Sequence, residues 1–533
     1  MPSSQADATF EIIVIGAGIN GAAIAREAAL AGFKVLLVER ADIGGGTSSA
    51  SSRLIHGGLR YLEYGEIGLV YESLHERERL LRLAPHLVAP IELVIPVYRR
   101  ARRPRWQIAI GLALYDLLSL GRSVPGRTLL DREALLARMP GLNATDLVGG
   151  ASYYDAQVTY PERLVLENVR DAVANGAMLM TYTRVSRVRV TDGRVTGVEW
   201  RTRDGVAGGA NAPLIVNAAG PWVDDVLGPI QHTRLLGGTK GSHIVVPPFP
   251  GAPRVGVYVE AGADGRPFFI LPWNDLLLIG TTDERFEGDA GTATIDAREL
   301  AYLASETERV FPGAAGLAGR VLYTHTGVRP LPWQPRGSTA AITRRHVIRR
   351  HRAARGLYSV VGGKLTTHRA LAEDVLRKLG RELPRPVRGH PTRTRPLPGA
   401  LDAAQRDALL ADLGARFGQA CAQRLWRVYG GGAAAIAAKA AAPGLAAQVD
   451  AGSGVLAAEI VHALDGEWAV TLADVLQRRC MAGLNADFGL AAARGAAAAL
   501  VRLGVWDAQR AGAEVEAYGA LAARHRAAAL APG

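Results

Sequence analysis

The segment from Thr47 to Tyr61 carries the residue types that do chemistry. It reads TSSASSRLIHGGLRY, and it brings hydroxyl groups, a Gly-Gly pair, a histidine and two arginines together in the chain. Polar groups buried without partners cost a few kcal/mol each, so the segment is not ordinary core. Its Gly-Gly pair and dense polar spacing also set it apart from a plain surface loop. Such a composition indicates a site where a phosphate-rich cofactor meets an anionic substrate.

A dinucleotide-binding fingerprint precedes this segment. An apolar strand predicted over residues 10–15 leads into Gly16, Gly18 and Gly21, which open an Ala-rich helix, and Glu39 ends the next strand. The glycines let the backbone approach a pyrophosphate at the helix N-terminus, where free N–H groups and the helix dipole favour negative charge. The carboxylate of Glu39 suits a ribose 2′-hydroxyl and disfavours a 2′-phosphate. The pattern therefore predicts a βαβ unit that binds a dinucleotide other than NADP.

A second glycine-rich turn follows a strand late in the chain. Residues 357–361 form an apolar strand, and Gly362-Gly363-Lys364-Leu365-Thr366-Thr367 then leads into a helix that runs to about Leu379. Lys364 is one of only five lysines among the 62 basic residues, and a cation at a helix N-terminus opposes the helix dipole. Both points indicate a functional role for Lys364 rather than solvation.

Length, charge and cysteine content limit the classes of protein that fit. A chain of 533 residues predicts two or three domains, and its 48% of hydrophobic residues is typical of a globular protein. The net charge of +12 favours anionic partners, namely phosphorylated metabolites, an acidic membrane or nucleic acid. Cys421 and Cys480 form neither a metal-ligand spacing nor a disulfide framework, which predicts no metal site and a reducing compartment. Residues 1–9 do not resemble a secretory signal, so we expect a cytoplasmic location.

An arginine-rich run beside an apolar stretch suggests contact with a membrane. Residues 99–106 contain five arginines and a tryptophan, and residues 107–120 are mostly apolar. The apolar run is shorter than the roughly 20 residues that a spanning helix needs. Arginines beside a Trp and an apolar helix suit an interfacial anchor on anionic lipid. An ordinary buried helix with a solvated basic loop remains an equal alternative at this point.

The remaining chain predicts a sheet, a linker and a helical tail. Residues 178–200 read as two strands joined by a turn at Asp192-Gly193, and residues 213–219 form another strand that ends at Gly220. Residues 236–330 mix β-rich runs with Pro and Gly, which predicts an inserted antiparallel sheet as a substrate lobe. After a Pro- and Arg-rich passage at 384–398, the tail has helical spacing, with Asp474 and Arg478 as a predicted helix pair.

Together these motifs resemble the FAD-dependent glycerol-3-phosphate dehydrogenases, flavoproteins that oxidise sn-glycerol 3-phosphate to dihydroxyacetone phosphate and pass the electrons to the quinone pool. The resemblance covers most of the chain. It is carried by the segments 16–21, 47–61, 217–223 (NAAGPWV), 240–247 (KGSHIVVP), 279–283 (IGTTD), 326–330 (TGVRP), 341–344 (AITR) and 362–367 (GGKLTT).

The resemblance implies an α/β fold. A glutathione-reductase-type FAD-binding Rossmann domain is interleaved with an antiparallel β-sheet substrate domain, and an all-α domain follows. The FAD-binding domain is expected at 8–80, 150–235 and 330–383. The substrate-binding and membrane-facing domain is expected at 81–149 and 236–329, and the C-terminal helical domain at 399–533.

The resemblance also assigns roles to single residues. The reaction takes a hydride from C2 to the flavin while a base removes the hydroxyl proton and fixed cations hold the phosphate. His56 is the favoured base or proton relay, and His243 is a second candidate that orients the substrate or flavin. The residues expected at the phosphorylated substrate are Arg60, Tyr61, Arg329, Arg344 and Lys364. The residues expected at the FAD are Gly16, Gly18, Gly21, Glu39, Thr47, Ser48, Arg53, Gly220, Gly363 and Thr366.

Three other functions compete with this interpretation. An NAD-dependent dehydrogenase explains residues 16–39 but gives no purpose to 47–61 or 362–367. A glycerol-3-phosphate oxidase shares the substrate site and reduces oxygen directly. A non-catalytic scaffold on membrane or nucleic acid fits only the positive charge, and the chain lacks the aromatic-interleaved basic stripe of a single-strand binder.

The interpretation also predicts the partners and the location of the protein. We expect a membrane quinone as partner, peripheral contact with the cytoplasmic face of the inner membrane and no nucleic acid. The basic, Trp-flanked run at 99–120 favours the quinone-linked form over the oxidase. The oligomeric state stays open, with a homodimer as one outcome.

Overall fold

The computed structural model describes residues 8–231, 233–335, 337 and 342–530. The predicted absence of a signal concerns residues 1–9, of which 1–7 lie outside the described residues, as does Ala341 of the 341–344 motif. The strands are β1 (Ala8–Thr9), β2 (Ile12–Ile15), β3 (Val35–Val38), β4 (Leu54–Ile55), β5 (Val88–Tyr98), β6 (Thr128–Asp131), β7 (Leu147–Val158), β8 (Met178–Met180), β9 (Thr183–Thr191), β10 (Arg194–Thr202), β11 (Ala207–Asn211), β12 (Leu214–Asn217), β13 (Thr239–Val246), β14 (Gly256–Glu260), β15 (Pro267–Trp273), β16 (Leu276–Gly280), β17 (Glu284–Arg285), β18 (Tyr323–Arg329), β19 (Val347–Arg350) and β20 (Leu357–Val361).

The helices alternate with these strands and then form the C-terminal part. They are α1 (Ile19–Leu30), α2 (Ile67–Leu83), α3 (Arg105–Leu118), α4 (Arg132–Arg138), α5 (Pro161–Ala174), α6 (Val223–Leu227), α7 (Ala297–Val310), α8 (His368–Leu379), α9 (Ala403–Phe417), α10 (Gln419–Tyr429), α11 (Ala433–Lys439), α12 (Ala457–Gly466), α13 (Leu472–Arg478), α14 (Leu490–Arg502) and α15 (Ala508–Leu530). A 3-10 segment, Leu59–Tyr64, joins β4 to α2.

A six-stranded sheet forms the centre of the cofactor-binding part of the fold. Its order is β19-β20-β12-β2-β3-β8, and all neighbours are parallel except the edge strand β19. Every residue of β2, β3 and β12 is buried, which is why these strands read as continuous apolar runs. Helix α1 packs between α5 and α8 on this sheet. The predicted βαβ unit is confirmed.

A four-stranded sheet, β1-β11-β10-β9, lies beside it. The predicted turn at Asp192-Gly193 joins β9 to β10, and both residues have positive φ, 50° and 69°. The predicted pair of strands at 178–200 was too long, because Tyr182 at φ 51° interrupts it and β8 pairs with β3 of the parallel sheet instead.

A ten-stranded sheet forms the second lobe. Its main path is β17-β13-β16-β15-β14-β5-β7-β4, with β18 added to β13 and β6 added to β7. The antiparallel sheet predicted within 236–330 is present, but it also takes in β5 and β7, and β14 pairs with β5 in parallel. Strands β5 and β7 come from residues 88–158, so this sheet is larger than the predicted insertion.

The C-terminal helices α9–α15 attach to the sheets through buried ion pairs. Arg163 of α5 forms two hydrogen bonds to Glu467, of 2.7 and 2.9 Å, and both side chains are completely buried. The predicted pair of Asp474 and Arg478 is present at 2.7 Å. Arg478 also bonds Asp42 at 2.5 Å, so this pair ties α13 to the loop after β3 and does more than stabilise one helix. The division of the chain into domains stays a prediction.

Helix α3 lies on the surface of the second lobe and presents apolar side chains outward. Trp106, Ile110 and Leu117 are 65%, 62% and 60% exposed, whereas only Leu112 and Tyr115 of α3 are buried. The alternative of an ordinary buried helix is therefore wrong for residues 105–118. Over the described part of the chain, none of the helices combines the length and the hydropathy required to span a bilayer.

Candidate active site

A cavity of about 260 Å³ lies at the carboxyl ends of β2 and β12, where ligands bind in open α/β sheets. We call it the first cavity. It is lined by residues of both glycine-rich turns and of the loops between them, namely Gly16, Gly18, Asn20, Glu39, Arg40, Thr47, Ser48, Ser51, Gly220, Trp222, Gly363 and Lys364. The residues of the two distant motifs 16–21 and 362–367 therefore meet at one site.

The fingerprint glycines are required by close backbone approach. Gly16 has φ +101°, and a Cβ there would lie 2.7 Å from the carbonyl oxygen of Ala218. A Cβ on Gly21 would lie 1.8 Å from the carbonyl oxygen of Gly16. The turn thus brings the N-terminus of α1 against the cavity, where its N–H groups can face phosphate oxygens.

Glu39 and Ser48 line the first cavity and offer polar groups that a dinucleotide can bind. Glu39 accepts hydrogen bonds from the N–H groups of Ala17, at 2.7 Å, and Ala41, at 2.9 Å, and burial raises the pKa of its carboxyl group. Ser48 accepts from the N–H of Ile19 at 3.0 Å, which leaves its own O–H free to donate. Glu39 can therefore meet a ribose and Ser48 a phosphate.

Asn20 joins the two glycine-rich turns, and the sequence predictions did not include it. Its Nδ2 donates to the carbonyl oxygen of Gly362 at 3.2 Å, whereas its buried Oδ1 has no hydrogen-bond partner among the described residues. Gly363, at φ +97°, would place a Cβ 2.9 Å from Asn20. A buried acceptor without a partner costs free energy unless a ligand donates a hydrogen bond to it. The only sequence signal for Asn20 was its position inside the fingerprint.

A second cavity, of about 170 Å³, collects positive charge. Arg60, Arg266, Arg329 and Arg344 line it, with Asp283 as the acidic residue of the lining. Other lining residues are His56, Tyr61, Tyr153, Tyr258 and Phe269. Four guanidinium groups around one carboxylate leave net positive charge for a phosphate dianion.

Asp283 holds two of these arginines in place. Arg329 donates to it at 3.2 Å and to the hydroxyl of Thr281 at 2.9 Å, and Arg344 donates to the other carboxylate oxygen at 3.1 Å. Burial would raise the pKa of Asp283, but the two cations lower it below its usual value. The aspartate therefore stays ionised. It stands in the 279–283 motif, yet neither it nor Arg266 was among the predicted site residues.

His56 and Lys364 lie between the two cavities. Lys364 lines the first cavity, and its Nζ donates to the carbonyl oxygens of His56, at 3.2 Å, and Gly57, at 3.4 Å. Its ammonium group lies 4.9 Å from the ring centre of Tyr61. Burial, and then the charge of Lys364, lower the pKa of His56 to about 3, so its imidazole is neutral and can accept a proton. Burial lowers the pKa of Lys364 to about 7.

The structure corrects the expectation for Arg53. Its side chain is 1% exposed, and it donates to both carboxylate oxygens of Glu162, at 3.0 and 2.8 Å, while stacking on Trp273. It is not among the residues that line the first cavity. Glu162 thus engages both terminal nitrogens of Arg53, and the structure puts the guanidinium in a buried ion pair outside the lining of the first cavity.

Three further predicted residues have other contacts than expected. Thr47 lines the first cavity, but its hydroxyl donates to the carbonyl oxygen of Val328 at 2.7 Å and cannot also donate to a phosphate. Thr366 is 1% exposed and accepts from the N–H of His56 at 3.2 Å, so it supports His56 instead of lining the cavity. His243 is 2% exposed and reaches the second cavity only through a 2.8 Å hydrogen bond with Ser52.

A third cavity, of about 200 Å³, adjoins the second and is lined mainly by apolar groups. It lies between the 3-10 segment, β5 and α3, and Leu59, Arg60 and Tyr258 line both cavities. Its other lining residues include Leu62, Ile95, Val97, Arg103, Gln107, Ile108 and Ile110. Ile110 is also exposed on the outer face of α3, so this cavity borders the apolar surface.

Comparison with known proteins shows which family models and relatives this chain matches. A family model described as FAD dependent oxidoreductase matches residues 11–376, and one described as the C-terminal domain of alpha-glycerophosphate oxidase matches residues 390–511. A glycerol-3-phosphate dehydrogenase of Synechocystis sp. is 39% identical over 529 residues, covering 96% of this chain and 95% of the relative. A D-erythritol 1-phosphate dehydrogenase of Brucella abortus is 38% identical over 487 residues, covering 88% and 94%.

A solved structure covers nearly the whole chain. The X-ray structure of the glycerol-3-phosphate dehydrogenase from Bacillus halodurans, complexed with FAD, superposes with a TM-score of 0.77 at 25% sequence identity. The match covers 97% of this chain and 95% of that one. The predicted fold class, with its FAD-binding α/β part and its helical C-terminal part, is confirmed.

Proposed function

This chain belongs to the FAD-dependent glycerol-3-phosphate dehydrogenase family, and from that premise we propose that it oxidises sn-glycerol 3-phosphate to dihydroxyacetone phosphate and passes the electrons to a membrane quinone. One observation carries the proposal. Four arginines, Asp283 and a neutral His56 line one cavity, and Lys364, which lines the cavity formed by the fingerprint glycines, donates to the carbonyl oxygen of His56. A phosphate, a proton acceptor and a redox cofactor can thus meet there.

The residues of the first cavity fit FAD. Gly16 allows backbone approach to the pyrophosphate, Ser48 supplies a hydroxyl, and Glu39 is placed for the adenosine ribose. The orphaned Oδ1 of Asn20 and the glycine at 363 suit the far end of the same ligand. FAD, when bound, supplies the two-electron acceptor for the hydride.

Phosphate binding and proton acceptance are the roles proposed for residues in and beside the second cavity. Arg329 and Arg344 hold the substrate phosphate, Arg60 lines the same cavity, and Lys364 adds a positive charge from the neighbouring first cavity. The C2 carbon loses a hydride and its hydroxyl loses a proton, so that a C2 carbonyl forms. His56 is placed to accept that proton, since its imidazole is neutral and lines this cavity. A pKa of about 3 makes it a weak base in the free protein, and the negative charge of the bound phosphate raises that pKa and strengthens the base.

The apolar face of α3 and the third cavity support a membrane-borne quinone as the electron acceptor. Trp106, Ile110 and Leu117 form an exposed apolar row on a helix that follows the arginine-rich run. Such a surface can sit in the head-group region of an anionic bilayer. The neighbouring third cavity is apolar and shares Arg60 with the substrate cavity. These features support peripheral membrane contact, and we propose the cytoplasmic face of the inner membrane as its location.

The oxidase remains the second candidate, since the family model that matches residues 390–511 is described from an alpha-glycerophosphate oxidase. An oxidase has no need of an exposed apolar helix beside an apolar cavity, and this favours the quinone-linked enzyme. The oligomeric state stays a prediction.

The test is anaerobic addition of glycerol 3-phosphate to the purified protein while the flavin absorbance is followed. We expect prompt bleaching, and then faster return of the colour with a soluble quinone than with air. D-Erythritol 1-phosphate is the matched comparison substrate, because a relative of similar identity is named for it. Bleaching by erythritol phosphate alone would refute the substrate, and faster return with air would refute the quinone. A colourless protein that FAD does not reconstitute would refute the whole proposal.

A further inference from the structure

We propose that Tyr115 and Asp155 are positioning residues for the reaction, which hold the His56-Gly57 turn over Lys364 and connect that turn to the exposed helix α3. The inference rests on the proposed function only for its catalytic consequence. The hydrogen-bond network itself lies wholly within the described residues, and neither residue lines the first or the second cavity.

Tyr115 is the residue through which α3 reaches the site. Its side chain is 2% exposed, and its hydroxyl accepts a hydrogen bond from the N–H of Gly57 at 2.9 Å. The same hydroxyl lies 2.9 and 2.8 Å from the two carboxylate oxygens of Asp155, to which it donates its one proton. A Cβ on Gly57 would lie 2.5 Å from this hydroxyl, so the turn is fitted closely to it.

Asp155 is a fully buried carboxylate with a defined set of partners. Arg77 of α2 donates to its Oδ1 at 2.8 Å and to the carbonyl oxygen of Tyr154 at 3.0 Å. The N–H of Gly57 makes a second, longer contact to Asp155 at 3.4 Å. A buried ion pair of this kind is costly to form, and removal of one partner leaves the other charge buried without compensation.

The turn that this network holds is the one that binds Lys364. The Nζ of Lys364 donates to the carbonyl oxygens of His56 and Gly57 and to the hydroxyl of Ser73 at 2.8 Å. Tyr115 binds the N–H side of Gly57, and Lys364 binds its carbonyl side. A shift of the turn would therefore move Lys364 and His56 together.

The charge of Asp155 also acts on Lys364 directly. Burial lowers the pKa of Lys364, and the carboxylates of Asp155, Glu72 and Glu66 oppose that effect. The groups that face Lys364 come from four elements, namely His56 and Gly57 of the turn, Tyr61 of the 3-10 segment, Glu66, Glu72 and Ser73 at and within α2, and Asp155 of β7. Loss of the Asp155 charge should therefore make Lys364 titrate at lower pH.

Two variants of the flavin-loaded, full-length protein separate position from charge. Tyr115→Phe removes the hydroxyl that holds Gly57 and leaves the carboxylate, whereas Asp155→Asn removes the charge and keeps an acceptor. The first measurement is amide hydrogen exchange of peptides that span residues 54–62. The second is the pH dependence of the rate at which glycerol 3-phosphate reduces the flavin.

The matched control is Tyr518→Phe. Tyr518 is 1% exposed, its hydroxyl accepts from Gln477 and donates to the carbonyl oxygen of Phe488, both at 2.8 Å, and it lies in the C-terminal helices. The Tyr518→Phe variant thus loses a buried, hydrogen-bonded tyrosine hydroxyl of the same type, away from the reaction site. We expect it to lower the melting temperature without changing either measurement.

The expected result for Tyr115→Phe is faster exchange at Gly57 and flavin reduction slowed about tenfold, as for one lost hydrogen bond. Asp155→Asn should leave that exchange protection largely in place and move to lower pH the limb on which the rate falls as Lys364 loses its proton. Unchanged exchange at residues 54–62 in Tyr115→Phe would overturn the positioning role. If Asp155→Asn does not fold, Tyr115→Phe alone decides.

The design distinguishes this inference from the proposed function. If the wild-type flavin is not reduced by glycerol 3-phosphate, the proposed function fails, whereas the exchange measurement still tests the network. If the wild type is reduced and Tyr115→Phe behaves as Tyr518→Phe does in both measurements, the function stands and the inference is wrong.

Discussion

Replacing Arg329 with alanine should weaken substrate recognition and leave the flavin in place. The guanidinium of Arg329 lies in the second cavity, and its internal hydrogen bonds go to Asp283, the hydroxyl of Thr281 and the carbonyl oxygen of Thr282, at 3.2, 2.9 and 3.3 Å. Asp283 keeps Arg344 at 3.1 Å when Arg329 is removed, so the buried carboxylate is not left without a counter-charge. The fold should therefore survive the substitution.

The magnitude follows from the lost contact with the phosphate. A hydrogen bond to a charged group contributes roughly 1.5 to 3 kcal/mol. With about 1.4 kcal/mol for each factor of ten, kcat/KM for glycerol 3-phosphate should fall roughly 10- to 150-fold. Most of the loss should appear in KM, because the phosphate is held in the ground state as well as in the transition state.

The assay is steady-state reduction of an artificial acceptor, with the flavin content of each preparation measured from its visible spectrum. Arg298→Ala is the matched control, because Arg298 belongs to the same lobe, is 82% exposed and makes only long ion-pair contacts of 3.6 and 3.8 Å. A colourless Arg329→Ala protein would show that Arg329 is structural. An unchanged KM would show that the phosphate binds elsewhere, and either result refutes the reasoning.

Further predictions concern pH, stability, cofactor retention and the membrane. As the pH rises through about 7, Lys364 loses its proton and its attraction for phosphate, so kcat/KM should fall, and Lys364→Met should abolish that limb. Glu162→Gln leaves the buried Arg53 without its counter-charge and should cost about 3 to 5 kcal/mol in chemical denaturation, with KM unchanged in the folded fraction. Gly363→Ala, at φ +97°, should release FAD more readily in dialysis. Trp106→Ser with Leu117→Ser should weaken sedimentation with phosphatidylglycerol vesicles while flavin reduction persists.

Local signals were sufficient for the two glycine-rich turns and for Glu39 in the cofactor part of the site. Gly16 and Gly21 are glycines because any Cβ would collide with backbone, and that constraint is visible as a spacing in the chain. Glu39 follows a buried strand whose length fixes where its carboxylate lies. The strand at 357–361 was predicted with the bounds that the structure has, since a fully buried parallel strand is a continuous apolar run.

Long-range packing decided the residues that the sequence assigned wrongly or missed. Arg53 and Ser48 stand in one hydroxyl- and arginine-bearing segment, yet the first faces Glu162, 109 positions away, and the second faces α1. Asp283 and Arg266 reach the second cavity because β15 and the chain after β16 lie in the same sheet. No spacing within the chain encodes such partners.

The sequence by itself determined the cofactor class, the βαβ unit and the set of cations from which a phosphate site could be built. These properties depend on short-range backbone geometry and on residue type, and residues close together in the sequence set both. The tertiary structure decided which cations face a cavity and which are neutralised inside the protein, as Arg329 and Arg53 illustrate. It also decided the pKa values of His56 and Lys364, because burial and the distance to other charges exist only in the folded chain.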